Sequence, residues 1–176
     1  MRDLYIIGGI SVAAMAIGGV LFFFGPSSLQ SDVNSALQSA QTNGGNQPVK
    51  FTVLSKGPAA ISINGRTNYR ITSGDELAAL WPLVYGQNTS NIPPIDFNKY
   101  EVLAVFDGSH STNGYAIAVK SITDANATRT VVVTHMSPNT RCHVSTASTQ
   151  PFQIVEVPKT SFTISHIDEV ATSTCS

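Results

Sequence analysis

The chain predicts a mainly β fold: an antiparallel β-sandwich or partly open barrel of about seven strands, with one short docked helix, preceded by a single transmembrane helix. Three observations carry that expectation. Short apolar runs recur at Val102–Phe106, Tyr115–Val119, Thr130–His135, Phe152–Val157 and Phe162–Ile167, with turn residues between them. Leu77, Leu80, Trp81 and Val84 are the one clear set at helical spacing in that region. Ahead of both, Tyr5–Phe24 is a 20-residue stretch without a charge.

The apolar stretch has the length of a membrane span, since a helix rising about 1.5 Å per residue crosses a core of about 30 Å in some 20 residues. It is too long for the apolar core of a cleaved signal peptide, and it exits through Phe22-Phe23-Phe24-Gly25-Pro26 rather than a small-residue cleavage site. Arg2 precedes it and no Lys or Arg follows until Lys50, which puts the N-terminus in the cytoplasm and the remainder outside. The expected organisation is an anchor over 1–25, a stem over 26–48 and an extracytoplasmic β domain over 49–176. In the stem, Leu29, Val33 and Leu37 lie on one helical stripe, and Asn43-Gly44-Gly45 would end it.

Within the β domain, Phe51 and Val53 alternate with polar neighbours, and Ile61-Ser62-Ile63 runs into Asn64-Gly65, a hairpin signal. Ser73 followed three residues later by Glu76 forms a capping box that starts the helix, and Pro82 shortens or bends it. The runs at Val102–Phe106 and Tyr115–Val119 are apolar on both faces, as expected for central strands covered on both sides. Asp124-Ala125-Asn126 and Ser137-Pro138-Asn139 read as turns. Cys142 and Cys175, both on the exterior side, are expected to form one disulfide.

Composition narrows the function classes. Charged residues are 12% of the chain, with 10 Lys plus Arg against 11 Asp plus Glu, while Ser, Thr, Asn and Gln make up 55 of 176. Without a basic field, nucleic acid is excluded as the expected partner. His110, His135, His143 and His166 lack the spacing of a metal site and read as surface or edge residues, so neither metal nor cofactor is expected. G-x-S-x-G, phosphate loops and calcium loops are absent from the sequence. Asp96 reads as a turn residue and Asp107 as the start of a loop. Asn88-Thr89-Ser90 and Asn126-Ala127-Thr128 match the glycosylation acceptor pattern.

The loop Asp107–Tyr115 is the candidate recognition element, because it joins two buried strands and holds its side chains on a rigid base. Its candidate binding residues are Ser109, His110, Thr112, Asn113, Gly114 and Tyr115, with Gly114 supplying an unusual backbone angle and Tyr115 an aromatic anchor. The plain alternative is that Gly114 and Tyr115 turn the chain and fill the core.

Asp96-Phe97 with Val102–Phe106, the Gly114-Tyr115 pair, Pro151, and Val155–Lys159 with its Val-Pro-Lys close resemble the C-terminal domain of the PrcB family. The resemblance spans roughly Phe51 to Thr163, and its motifs are structural rather than catalytic. It implies an accessory, non-enzymatic, protein-binding role beside a surface or secreted bacterial protease. Thr112-Asn113-Gly114-Tyr115 is also similar to part of the inhibitory loop of chagasin-type cysteine-protease inhibitors. That family's Gly-rich second loop and loop tryptophan have no match, since Trp81 falls in the expected helix. Protease inhibition through this loop is thus the alternative reading, and an unrecognised hydrolase is a third.

Overall fold

The computed structural model describes residues 45–87 and 91–174. The expected anchor, the stem helix, the Asn88 acceptor site and Cys175 all lie outside them. Among the described residues no helix is long and apolar enough to cross a membrane.

Eight strands, one helix and two sheets make up the described fold. In chain order these are β1 (Gln47–Pro48), β2 (Thr52–Gly57), β3 (Thr67–Ile71), α1 (Gly74–Tyr85), β4 (Tyr100–Phe106), β5 (Ala116–Ala125), β6 (Thr128–Pro138), β7 (Phe152–Pro158) and β8 (Thr163–Ser173). One sheet has the order β1-β5-β6-β8 and the other β2-β7-β4-β3. The arrangement is a sandwich with an added helical layer.

The second sheet is the middle layer. On one face, Val102, Ala104, Phe106 and Ile154 pack under Leu77, Leu80, Trp81 and Val84 of α1. On the other, Leu103, Val105, Val155 and Val157 meet Ile117, Val119, Val131 and Val133 of the first sheet. Alternate residues of β4 thus enter two different cores, which is why its sequence is apolar from Val102 to Phe106. β5 does not behave the same way. Its inner residues Ile117, Val119 and Ile122 are buried, but Ala116 and Ala118 on the outer face are only half-buried. Small alanines make a strand look apolar on both faces without requiring cover.

The α1 start follows its sequence. Ser73 is the N-cap, its side chain accepts from Glu76 N–H at 3.3 Å, and Glu76 carboxylate accepts from Thr72 N–H at 2.6 Å. Those contacts hold the Glu76 carboxyl below its usual value, the Thr72 backbone bond being the largest cause. The helix runs through Pro82, whose carbonyl accepts from Gly86 N–H, to a full 12 residues.

Two expectations are corrected. Ile61–Ile63 is not a hairpin arm: Ile61 N–H and Ser62 N–H donate to the carbonyls of Val84 and Leu83 instead. These are carbonyls of the last helical turn, which lack partners within the helix, so the segment ends α1 rather than pairing with a strand. The fold is also not wholly antiparallel, since β6 and β8 pair in parallel over eleven residues. The chain leaves β6, lays β7 into the other sheet between β2 and β4, and returns, so β8 arrives pointing the same way as β6.

The turn at Asp124–Asn126 is a tight hairpin between β5 and β6. Asn126 and Ala127 both take positive φ, 49° and 57°, as a two-residue type I′ turn requires. A bulge interrupts β5 between Val119 and Ser121, and Val119 N–H donates across the layers to the buried Gln153 Oε1 at 2.6 Å. No buried side-chain polar atom among the described residues lacks a hydrogen-bond partner.

Candidate functional site

The loop 107–115 leaves the middle sheet at β4 and enters the outer sheet at β5, so its two ends sit on different layers. It is pinned along its length. His110 and Thr149 exchange both backbone hydrogen bonds, Asn113 N–H donates to the Ser145 carbonyl, and Ser145 N–H returns a bond to Asn113 Oδ1 at 2.9 Å. Thr149 Oγ1 donates to the Thr112 carbonyl at 3.0 Å. Ser109 N–H donates to the Asn64 carbonyl, and Ser109 Oγ to Asn64 Oδ1.

Glycine is required at two points. Gly108 has φ +82°, and an added Cβ would stand 2.9 Å from Arg66 N and 3.0 Å from Asn64 O. Gly114 has φ +91°, and a Cβ there would meet Pro138 Cβ at 2.9 Å. Both are positions where side chains are strained and backbone or ring crowds in.

Of the sequence-nominated residues, Ser109, Asn113 and Gly114 are exposed, while His110, Thr112 and Tyr115 are half-buried. Tyr115 does not enter a core. Its ring stacks on His110, with centroids 3.8 Å apart and planes 6° from parallel. The far end of the loop borders a cleft of about 270 Å³ shared with Arg141, Cys142, Val144 and Ser173. No free cysteine stands among the described residues.

Behind the loop lies a buried polar cluster built on Asp107 and His135. Asp107 is buried; its Oδ1 accepts from His135 Nδ1 at 2.6 Å and from Arg66 at 3.1 Å, and its Oδ2 meets His110 Nε2 at 2.8 Å. Burial pushes the Asp107 carboxyl up, but the hydrogen bonds and charges of His135 and His110 outweigh it and hold the group below its ordinary value. His135 is buried as well, and its Nε2 reaches Asp168 Oδ1 on β8 at 3.2 Å. It is neither a surface nor an edge histidine. Its position on β6 alternates inward with Val131 and Val133, a periodicity that could have marked it.

Both imidazole nitrogens of His135 face carboxylates, and Ser109 Oγ is turned to Asn64, so the described residues assemble no hydroxyl–imidazole–carboxylate set here. Nor do three or more His, Cys, Asp or Glu among the described residues converge as a metal site. The arrangement braces the loop: one buried carboxylate ties its first residue to β6 and to His110.

A second buried network was not foreseen. Glu101, at 0% exposure, accepts from Arg70 Nε and a terminal nitrogen at 3.0 and 2.8 Å on one oxygen and from Arg129 at 3.2 Å on the other. Arg129 also forks onto Asp124 at 2.8 and 2.7 Å and donates to the Pro158 carbonyl. Arg70 donates to the carbonyls of Thr160 and Phe162. The network fixes the connection from β7 to β8, and its members are scattered from residue 70 to 129. The only local hint is a charge opening each of two apolar strands.

A cleft of about 510 Å³ lies between the edge strands β3 and β8. Leu103, Val105, Val131 and Val133 form an apolar floor, with Arg66 and Arg70 on one wall and His166 and Asp168 on the other.

The stretch from β4 to β7, with the pinned loop between its first two strands, is therefore the structural unit that carries the candidate surface. Residues 102–158 match the family model described as PrcB C-terminal. The PrcB C-terminal match takes in four strands drawn from both sheets, and also the loops 107–115 and 139–151. No curated protein and no solved structure matches the chain.

Proposed function

We propose that this chain is a membrane-anchored, extracytoplasmic, non-enzymatic protein-binding module, an accessory or stabilising subunit for a surface or secreted protease. The observation that carries this reading is the PrcB C-terminal match over 102–158, which falls on the braced loop and the scaffold under it. The uncharged 20-residue stretch Tyr5–Phe24 and the charge asymmetry around it support the anchor and its orientation. Ser109, Ser111 and Asn113 stand exposed on a loop that is already ordered, so a partner would bind them with little loss of chain entropy. No metal or cofactor enters this reading.

The test is crosslinking on intact cells with an epitope-tagged full-length chain, followed by identification of what is captured. A protease that copurifies at full turnover and loses half-life when this chain is deleted supports the accessory role. A protease titrated stoichiometrically, with inhibition lost on changing Asn113, Gly114 and Tyr115, favours the inhibitor reading instead. Capture without any protease, or a domain found in the cytoplasm, would overturn the proposal.

A further inference from the structure

Natural sheets blunt their free edges with short strands, bulges, prolines or charged side chains, because an open row of backbone groups otherwise recruits another strand. Three of the four edges here follow that rule. β1 is two residues long and ends in Pro48. β2 carries a register shift between Val53 and Ser55, with Lys56 following. β3 has five residues and bears Arg70.

β8 departs from it. It runs eleven residues, pairs with β6 without a single register shift, and contains no proline, lysine or arginine. Among the described residues nothing pairs with its outer edge. It also exposes large apolar side chains, with Ile167 at 52% and Val170 at 83%.

We infer that β8 is a self-association edge, along which a second copy of this chain adds antiparallel to form one continuous sheet across a twofold axis. The sequence of the strand selects the occupant. A twofold axis normal to the sheet keeps each face on its own side, so only registers pairing residues of like parity are open. The register centred on Ile167 sets Ile167 against Ile167 of the second copy, His166 against Asp168, Ser165 against Glu169, and Ile164 against Val170. Apolar side chains meet apolar ones, and the twofold axis makes two His166–Asp168 pairs, one imidazole to one carboxylate in each. Glu169 is meanwhile neutralised on its own sheet by Lys120 at 2.7 Å.

The neighbouring registers lack this fit. Centring on Asp168 opposes two carboxylates directly, and centring on His166 sets Ile164 against Asp168. The pairing covers nine residues of each strand, about 30 Å of edge. That is a small interface, so the expected association is weak, at about micromolar strength.

Cysteine crosslinking of the full-length chain reads the register. The two central residues lie about 4.5–5.5 Å apart between Cα atoms, within disulfide range. Ile167→Cys is expected to give a reducible dimer under mild oxidation, above the background of the parent chain with its own Cys142 and Cys175. Ser165→Cys alone would face its own copy at about 13 Å and stay uncrosslinked, as would Glu169→Cys. Mixed together, those two variants should crosslink to each other.

Ile167→Lys, on the outer face away from both cores, should abolish the concentration-dependent dimer in sedimentation while leaving the melting temperature unchanged. Ile167→Cys crosslinking no better than Ser165→Cys would overturn the inference. So would a parent chain that sediments like Ile167→Lys at every concentration.

Discussion

Replacing Glu101 by Gln keeps the shape of the side chain and removes the charge at the centre of the Arg70–Glu101–Arg129 network. The amide can still accept from one arginine, but its NH₂ must face the other, so a donor meets a donor inside the protein. Removing one partner of a buried ion pair costs about 3–5 kcal/mol, because the remaining charge is stranded. Two features place this case at the lower end. Arg129 keeps both bonds to Asp124 and its bond to Pro158, and the Arg70 side chain, at 33% exposure, retains some access to water. The expected loss is about 3 kcal/mol, which in a domain of this size lowers the melting midpoint by about 10 °C. Urea denaturation of parent and variant at low and high salt is the assay, and the difference should persist in salt because Glu101 is shielded from counterions. A loss under about 1 kcal/mol, or one that vanishes in salt, would show that Glu101 is not the keystone of the β7–β8 connection.

Three further outcomes are expected. The folded Asp107 carboxyl titrates below the unfolded value near about 3.9, so its contribution is complete above about pH 4 and is lost as pH falls through the folded value. Asp107→Asn should therefore cost about 2 kcal/mol at pH 7 and flatten the acid limb of a stability-against-pH curve; an unchanged acid limb would contradict this. Ala127→Gly should stabilise by about 0.5–1 kcal/mol in thermal melts, because φ 57° strains alanine and not glycine. Ser173 borders the same cleft as Cys142, in keeping with the Cys142–Cys175 bridge expected from the sequence. Cys175→Ser should then cost about 3–4 kcal/mol, and alkylation of the denatured, unreduced parent should find no free thiol.

What the sequence revealed follows from how local each cause is. The start of α1 was legible because Ser73, Glu76 and the apolar spacing behind them act within a few residues. β4 was legible because a strand feeding two cores has no polar face. The β5–β6 turn showed itself through Asn126. The direction of β8 did not, since it depends on where β7 inserts, a matter of pairing over long range. Its length was underread too, because Ile167-Asp168-Glu169-Val170 on an exposed edge has no clean alternation. At the candidate site the loop was visible as polar residues between apolar strands. Its bracing was not: Asp107, His135 and Asp168 come from three distant segments, and nothing local tells a buried histidine from an exposed one.

The position of β7 governs when this domain can become a domain. It lies between β2 and β4, yet its register partner β2 was synthesised about 100 residues earlier. Until residues 152–158 emerge, β2 has no mate, and the parallel partner of β6 comes later still. Folding must therefore wait until β7 and β8 have both emerged, and the closure it waits for is of the slow, long-range kind. A chain cut before residue 152 would be an unfinished domain with open strand edges, exposed to proteases and to its own copies, rather than a smaller stable one.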